Sequence, residues 1–358
     1  MLSGGDLDTD VGSDTGGARE VMGTMFAPTF TNPSGWPTEV LPNLARAITC
    51  EFASVTRLGT PLTVPVTPYL GENSRTLDLS TGLTYPAKAE RVRRNPHVAL
   101  LFSDPLGSGL SDALVVLVQG LGAVRDRDLQ ANSDRYIELS RRKLPGLYSQ
   151  LPWFILRRQR WYWTRIWVHV TPLRMLWWPA GRQDEPPRTW EAPAGTVGEV
   201  SDPPPMGLTP GGGLAAPRDW RPRAADAARR FGPPVLTVMG ADGFPIPVRA
   251  RGAVLTSAGF HVDLPDGHPG LTAGQGCLTF HIHDATFTFE ENAAFVGAVE
   301  PADGGVIFRV ERALGDLSAP GSWPRRVWAA LSAGWRLAPR LRAEAARRGQ
   351  APPVIRRP

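Results

Sequence analysis

Cysteine and lysine are scarce in this sequence. The 358 residues contain two cysteines, Cys50 and Cys277, which lie far apart and have no further Cys or His at the spacing of a zinc site. This scarcity argues against a disulfide framework and a structural zinc site, and it indicates a reducing, cytoplasmic compartment. Of the 39 basic residues only Lys88 and Lys143 are lysines. A compact ammonium coordinates phosphate differently from a planar guanidinium, so both positions are of interest.

Long apolar runs and the common hydrolytic motifs are also missing. No apolar stretch reaches the roughly 18 residues that a bilayer span requires. The N-terminus is acidic and polar, where a signal peptide would begin with basic and apolar residues. The motifs G-x-S-x-G, H-E-x-x-H and the P-loop are absent from the sequence, so nothing supports a hydrolase or an NTPase. We therefore expect a soluble protein without a transmembrane segment.

The composition favours a strand-rich globular protein. A formal net charge of +5 with 42% hydrophobic residues is typical of folded chains rather than disordered ones. The 38 glycines and 36 prolines are more than a helical bundle tolerates, and they suit strands joined by turns. The length leaves room for about two domains. The predicted fold class is mainly β with short helices.

The first half of the chain predicts a leader followed by a small barrel. Residues 1–37 have no apolar period and are expected to be a disordered leader. In residues 38–179 a Leu-Gly-Thr-Pro turn joins two strands, followed by the strand RTLDLS, a helix over AKAERVRRN and the strand HVALLFSD. A strand pair over ALVVLVQGLGAVRD, a helix beginning near Asp128 and the closing strand TRIWVHVTPLRMLWW complete the expected barrel.

The second half repeats this order in a shorter form. Residues 180–217 are rich in proline and glycine and predict a linker between domains. In residues 218–320 a helix, a hairpin with Ala-Asp-Gly-Phe-Pro at its turn, and the strand GCLTFHIHD follow one another as in the first half. Residues 321–358 predict a basic helix, interrupted at Pro339, and a tail. We interpret the chain as two copies of one barrel, the second shortened.

Several spaced features of the first half resemble the flavin-binding split barrel of the pyridoxamine 5'-phosphate oxidase-like superfamily. They are the hairpin TRLGTPLTVPVTPYL, the segment LDLSTGLTYPAKAERVRRNPHVALLFSD and the strand VVLVQGLGAV. The similarity extends over about residues 41–178 and, more weakly, over 218–315. The resemblance implies two tandem split β-barrel domains with a cofactor in the groove between them, the second and degenerate barrel serving as the partner wall.

The turn before the Arg-rich helix is the candidate phosphate site. Its hydroxyls and backbone N–H groups, the helix N-terminus and an ammonium would act together on an anion. The resemblance implies that the flavin phosphate binds here, that the second hairpin strand lies against the isoalloxazine ring, and that a polar side chain before a glycine contacts the ring. The candidate cofactor-binding residues are Ser80, Thr81, Thr84 and Lys88 for the phosphate, and Pro65, Val66, Thr67 and Gln119 for the ring.

The sequence departs from true pyridoxamine phosphate oxidases at this site. Those enzymes carry an arginine beside the lysine and basic residues on the hairpin strand, whereas here Ala87 neighbours Lys88 and the hairpin strand is uncharged. The Arg-Leu-Ala-Pro sequence at 336–339 lies in a helical, Arg-rich segment and is interpreted as a coincidence. We therefore expect an FMN-binding oxidoreductase that acts on a small molecule other than pyridoxamine phosphate, with no catalytic residue assigned.

Other cofactors and partners stay open at this point. The deazaflavin F420 is an alternative to FMN, because its acidic tail would suit the surface around Arg91, Arg93 and Arg94. A non-catalytic sensor or carrier of flavin or haem is another. The second half lacks the Lys-Ala and Asn-Pro features, so one cofactor per chain is expected. The two barrels would form an intramolecular pseudo-dimer, the chain could further form a homodimer, and no nucleic-acid partner is expected.

The histidines have a structural and a functional interpretation. His281 and His283 lie on one face of a predicted strand and could hold a metal together with His261 or His268. Histidines at a barrel rim are the commoner case, so no metal site is predicted. The candidate axial ligands of a haem are His97, His281 and His283.

Two further segments are unusual in composition. Six tryptophans between residues 153 and 178 could stack on a ring system, although tryptophans more often pack a core. The segment from Arg325 onward has nine arginines and one acid, Glu344. It could bind an anionic surface or an acidic cofactor tail, but a solvated helix is the simpler interpretation.

Overall fold

The computed structural model describes residues 35–149, 152–207, 216–302, 304–315 and 323–356. The described chain has more residues in strands than in helices; the strands form two antiparallel sheets, and helices of 4 to 25 residues connect or flank them. This confirms the predicted fold class, a tandem pair of split barrels. Most of the predicted leader, residues 1–34, lies outside the described residues. Trp36, which the leader was expected to include, is buried.

The first sheet contains eight strands. They are β1 (Cys50–Val55), β2 (Pro61–Val66), β3 (Pro68–Leu70), β4 (Leu77–Gly82), β5 (His97–Phe102), β6 (Val115–Arg125), β7 (Arg165–Trp178) and β8 (Arg188–Glu191). Their order is β2-β1-β5-β6-β7-β4-β3, and β8 pairs with β7. The strand pair expected over ALVVLVQGLGAVRD is wrong, since β6 is one strand. Its glycines do not turn the chain, and a bulge between Gln119 and Gly120 lets the pairing with β7 continue.

The second sheet has the same strand order as the first. It contains β9 (Val235–Met239), β10 (Pro245–Arg249), β11 (Gly252–Leu255), β12 (Gly259–Asp263), β13 (Gly274–His283), β14 (Glu290–Ala302) and β15 (Gly305–Ala313). The order is β10-β9-β13-β14-β15-β12-β11, so each strand of the first sheet except β8 has a counterpart in the second. This correspondence confirms that the two halves repeat one architecture.

Eight helices connect or flank the strands of the described chain. They are α1 (Leu41–Arg46), α2 (Ala87–Arg94), α3 (Leu129–Lys143), α4 (Pro145–Ser149), α5 (Trp153–Leu156), α6 (Arg160–Trp163), α7 (Arg221–Arg230) and α8 (Trp323–Arg347). The helices predicted before HVALLFSD and near Asp128 are confirmed as α2 and α3, and the Asp128 side chain accepts a hydrogen bond from the N–H of Ala131.

The expected interruption of the C-terminal helix is wrong. Helix α8 continues through Pro339. Proline removes one backbone hydrogen bond from a helix interior, a local cost that tertiary packing can offset. Helix α8 contacts α6, and Leu341 and Ala345 on its last turns are buried. None of the described helices is long and apolar enough to cross a membrane.

The segment predicted as a linker follows the first sheet. Within residues 180–217, strand β8 extends that sheet along β7. Further on, Ser201 accepts a hydrogen bond from the N–H of Val124, and Asp202 accepts from the N–H groups of Asp126 and Arg127. The described part of this segment is therefore attached to the first barrel, and it also contacts the second, because Asp184 accepts hydrogen bonds from Arg251 and from the N–H of Asp266.

The two barrels share a buried interface. Leu101 and Leu117 of the first sheet belong to the same buried apolar cluster as Leu236 and Phe280 of the second. Strand β2 packs against β9, β13 and β14. The hydroxyls of Thr63 on β2 and Thr237 on β9 hydrogen-bond at 2.6 Å in the buried interface. The two sheets thus share one buried core, and residues of both barrels surround the candidate site.

Candidate cofactor site

The predicted phosphate site is the turn between β4 and α2. Ser80 and Thr81 pair with β7 near the end of β4. The hydroxyl of Thr81 donates to the carbonyl of Tyr85 at 3.3 Å, which folds the turn back on the strand. Thr84 is fully buried, and its hydroxyl has no hydrogen-bond partner among the described residues. A buried hydroxyl without a partner is costly, and a bound acceptor would remove that cost.

Lys88 stands in the first turn of α2 and is half-buried as a residue. Among the described residues, no side chain or carbonyl forms a hydrogen bond or ion pair with it. Desolvation lowers the pKa of Lys88 to about 8, the nearby Glu290 opposes this change, and Arg91 and Arg165 reinforce it. The turn therefore presents a poorly solvated cation near one carboxylate and two guanidinium groups, and this net positive arrangement favours an anionic ligand.

Arg165, at the start of β7, is a basic residue near this turn that the sequence did not single out. Its Nη2 donates to the Tyr136 hydroxyl at 3.1 Å, and its guanidinium lies 4.1 Å from the Tyr136 ring and 4.4 Å from the Tyr162 ring. It pairs with Gly82 in the ladder between β4 and β7. Only this register reveals that Arg165 lies near the turn, because it follows Lys88 by 77 positions in the chain.



The tryptophan-rich segment packs the core beside this site. Trp163 and Trp167 are among the largest fully buried side chains of the described chain. They share an apolar cluster with Tyr69, Tyr136 and Leu156. The interpretation of these tryptophans as core residues therefore holds for Trp163 and Trp167.

The residues predicted to face the cofactor ring lie at the end of β2. Pro65 and Val66 are buried, and Thr67 just beyond them is half-buried. Strand β2 is covered by β13 and β14 of the second barrel. Leu62 on β2 packs in one buried cluster with Cys277, Ala294 and Val296. The second barrel thus supplies an apolar cover for this strand.

Gln119 lies elsewhere in the interface. Its amide nitrogen donates to the carbonyl of Pro245 on β10 at 2.8 Å, and its amide oxygen accepts from Nε of Arg174 at 2.8 Å. Arg174 also pairs with Asp242 at 2.7 Å. Both ends of the Gln119 amide are therefore engaged beside the hairpin of the second barrel. Gln119 lines a cleft of about 310 Å³ with Arg174, Asp242 and Phe244, and Lys88 is not part of its lining.

A buried ionic cluster joins the barrels near the end of β5. Glu51 is fully buried, and Oε1 accepts hydrogen bonds from Arg249 and from Nε2 of His281, the latter at 2.7 Å. The hydroxyl of Ser103 donates to the same carboxylate at 3.0 Å. Although burial opposes it, the Arg249 guanidinium and His281 lower the pKa of Glu51. The sequence signals no such pairing, because its members come from both halves of the chain.

Among the histidines considered as metal or haem ligands, His281 and His283 lie side by side with ring centroids 6.3 Å apart, but each has a partner of its own. His281 contacts Glu51, whereas His283 lies 3.3 Å from Asp104. His97 stacks on Phe244 with ring centroids 4.2 Å apart. Within the described residues, no group of three or more His, Cys, Asp or Glu side chains is placed to hold a metal.

Comparison with known proteins gives structural likenesses only. No family model and no curated protein matches the chain. Among solved structures it is similar to an F420 reductase, with 19% identity over 37% of this chain and 91% of that chain and a TM-score of 0.28. A putative pyridoxamine 5'-phosphate oxidase from Listeria innocua has 18% identity over 38% and 93% of the two chains and a TM-score of 0.27.

A third similar structure is the heme storage protein HutZ from Vibrio cholerae, with 13% identity over 37% of this chain and 87% of that chain and a TM-score of 0.26. Each alignment covers little more than a third of this chain. The assignment of two tandem split barrels therefore rests on the strand order and register of the chain itself.

Proposed function

We propose that this protein is an FMN-binding oxidoreductase that acts on a small molecule other than pyridoxamine phosphate. The observation that carries the proposal is Lys88, a half-buried lysine in the first turn of α2 with a lowered pKa and no hydrogen-bond or ion-pair partner among the described residues. The buried, unpartnered hydroxyl of Thr84 belongs to the same turn. A phosphate monoester accepts hydrogen bonds from both groups and offsets the desolvation of each.

The residues of the chain would divide the work of holding this cofactor. Lys88 and the turn bind the phosphate, Pro65 and Val66 lie against the ring, and the second barrel excludes water from β2. A bound flavin supplies the hydride chemistry, so no acid–base pair of the protein is required. Burial raises the pKa of the Cys277 thiol, which suits a packing residue rather than a nucleophile.

The deazaflavin F420 is the second candidate cofactor. Two of the arginines expected to meet its acidic tail are engaged, since Arg91 donates to Ser54 at 2.9 Å and Arg93 pairs with Asp126 at 2.9 Å. Helix α8 supplies another cation instead, because the guanidinium of Arg340 lies 5.4 Å from the Tyr85 ring. A cation beside the turn, beyond Lys88, favours a cofactor with more negative charge than one phosphate.

Replacement of Lys88 tests the phosphate assignment. Lys88→Ala is expected to weaken FMN binding by about 1.5 to 3 kcal/mol, or roughly 10- to 150-fold, because a charge-assisted hydrogen bond is lost. Lys88→Arg should restore only part of the affinity, since a guanidinium is larger and planar. The measurement is titration of apoprotein followed by flavin fluorescence.

Arg94 provides the matched control, because it lies on the same helix and is exposed. Arg94→Ala is expected to leave FMN affinity nearly unchanged. If Lys88→Ala bound FMN as tightly as the unaltered protein does, Lys88 would not be a phosphate ligand and the proposed site would be wrong. Equal losses in Lys88→Ala and Arg94→Ala would indicate attraction by overall charge rather than a phosphate site.

The identity and number of cofactors provide a second test. The absorbance spectrum of the purified full chain distinguishes flavin, deazaflavin, haem and empty protein. We expect one flavin per chain, because residues 264–273 connect β12 to β13 without a helix or a lysine where the first barrel has α2. A haem spectrum would overturn the flavin proposal, and two flavins per chain would show that the second barrel also binds one.

A further inference from the structure

A second cleft lies between α8 and the segment around α6, and it has a volume of about 500 Å³. Its lining includes Arg158, Arg160 and Trp161 on one side and Trp335, Leu341 and Arg342 of α8 on the other. None of the residues assigned to the flavin belongs to this lining. Its volume lies within the range of about 300 to 1,000 Å³ that is usual for small-molecule sites.

The wall of the cleft combines apolar side chains with one unsatisfied donor. Trp161 lies on one side, and Leu341 and Trp335 lie on α8. The indole Nε1 of Trp161 is buried and has no hydrogen-bond partner among the described residues. A buried tryptophan N–H usually has an acceptor, so this atom favours a ligand that brings one.

The charged part of the lining has one sign. Arg158 and Arg342 are exposed, and neither forms an ion pair with a described residue. Arg160 is held in place by its hydrogen bonds to the carbonyls of Pro352 and Pro353, at 3.0 and 2.9 Å. No carboxylate belongs to the lining. Glu344, the acid nearest in the sequence, is buried and paired with Arg347 and Arg348.

We propose that this cleft binds a free carboxylate that carries an apolar chain, such as a medium-chain fatty acid. The apolar chain packs along Leu341 and Trp335. The carboxylate accepts hydrogen bonds from Nε1 of Trp161 and from the guanidinium groups of Arg158 and Arg342. Charge-assisted hydrogen bonds to arginine give such a ligand its orientation, and burial of the chain contributes most of the affinity. The proposal is independent of the cofactor, because the two sites share no assigned residue.

Calorimetric titration of the full chain with dodecanoate, below its micellar concentration, tests this inference. We expect one molecule per chain. Arg342→Glu should weaken binding at least tenfold because it reverses a charge at the mouth of the cleft. Arg57→Glu makes the same change in charge at an exposed position of the β1–β2 turn, and it should leave the affinity within a factor of two.

Trp335→Ala keeps the test informative if a charge reversal disturbs folding. The side chain of Trp335 is 85% exposed, so its removal should not unfold the protein, yet it shortens one wall of the cleft. We expect it to weaken dodecanoate binding about three- to tenfold. Dodecanoate affinity unchanged in both Trp335→Ala and Arg342→Glu would overturn the proposal.

Two further ligands distinguish the chemistry and the source of the carboxylate. Dodecanol has the same chain without the charge, and we expect it to bind at least tenfold more weakly than dodecanoate. Equal binding of the two would overturn the role of the arginines. Anionic phosphatidylglycerol vesicles are expected not to retain the protein in a flotation assay. Retention by vesicles without binding of free dodecanoate would assign this surface to a membrane and overturn the proposal.

Discussion

The two barrels are alike in their turns and strand irregularities and differ in their connections. The hairpins β1–β2 and β9–β10 both contain a glycine with φ of +81°, Gly59 and Gly243. Strands β6 and β14 each carry a bulge immediately before a glycine, Gly120 and Gly297. These features shape the barrel itself, which explains why a shortened second copy retains them.

The differences lie in the segments between strands. In the first barrel α2 connects β4 to β5, and four helices, α3 to α6, lie between β6 and β7. Among the described residues of the second barrel no helix occurs at either position, and β15 begins at Gly305 soon after β14 ends at Ala302. The candidate phosphate site belongs to one of these extra connections. The comparison teaches that the sheets provide the frame and that the connections carry the candidate chemistry.

Each barrel also reaches the hairpin of the other. Gln119, before the bulge of β6, contacts Pro245 on β10, and Val296, before the bulge of β14, packs against Leu62 on β2. The two contacts occupy matching positions but differ in chemistry, since the first barrel contributes the amide of Gln119 and the second contributes the apolar side chain of Val296. As a result, strand β2 of the barrel that contains Lys88 is covered by apolar side chains of the second barrel, including Val296.

The largest expected effect comes from breaking the ionic cluster that joins the barrels. Glu51→Ala leaves Arg249 and His281 without their buried carboxylate, and we expect a loss of about 3 to 5 kcal/mol in the free energy of unfolding. Urea denaturation followed by tryptophan fluorescence measures this change. Glu51 pairs with Pro65 in the first hairpin, and at the matching position of the second hairpin Val235 pairs with Arg249. Since valine carries no charge, the second barrel has no counterpart of the Glu51 carboxylate.

Glu300 provides the control for this measurement. Its pair with Arg309 at 2.8 Å is exposed on the second barrel. Exposed ion pairs contribute little, so Glu300→Ala should change the free energy of unfolding by less than about 0.5 kcal/mol. Similar small losses in both variants would mean that the buried cluster does not hold the barrels together.

The matched bulges offer a direct comparison of the two sheets. A Cβ at Gly120 would lie 2.3 Å from the carbonyl oxygen of Thr171, and one at Gly297 would lie 1.9 Å from that of Arg309. Since these neighbours are backbone atoms, both strands must shift. We expect Gly120→Ala and Gly297→Ala each to lower the free energy of unfolding by about 1 to 3 kcal/mol.

Gly232→Ala is the control for the bulges, because a Cβ there meets no atom within 4 Å. Its effect should stay within about 0.5 kcal/mol. Because the two barrels share one core, both bulge variants should shift a single thermal transition. If the thermal unfolding curve had two transitions, and each variant lowered the temperature of a different one, the barrels would unfold independently.

The smallest expected effect is pH-dependent and concerns Asp104 and His283. Although burial opposes it, the nearby His283 and the N–H of Leu106 lower the pKa of Asp104 to about 2. A lowered carboxyl pKa contributes stability above the unfolded-state value of about 4, and the contribution is lost as the pH falls toward 2. The partial exposure of Asp104 reduces this contribution to about 1 to 2 kcal/mol.

Asp104→Asn should therefore be less stable than the unaltered protein at pH 5, and the difference should shrink as the pH approaches 2. Denaturation curves at intervals of pH across this range measure the difference. If the stability difference stayed constant with pH, the negative charge of Asp104 would not contribute to stability. The loss in Asp104→Asn would then come from altered packing or hydrogen bonding alone.

Local patterns in the sequence determined the repeated elements and the turn that contains the candidate site. Helix α2, which contains Lys88, and its flanking strands β4 and β5 lie within a short stretch of sequence. There the hydrophobic periodicity and the turn residues specify the structure of neighbouring positions. The recurrence of the hairpin turn likewise exposed the duplication without any knowledge of packing.

Tertiary structure alone decided which of these elements meet. The sequence predicts Gln119 as a contact of the cofactor ring, and only the structure shows that its amide bonds to Pro245 of the other barrel. Glu51 finds Arg249 and His281 across the interface, and Arg165 comes near Lys88 through the pairing of β4 with β7. The physical reason is that periodicity and turn chemistry act over a few residues, whereas contacts between barrels depend on how two completed sheets bury their faces together.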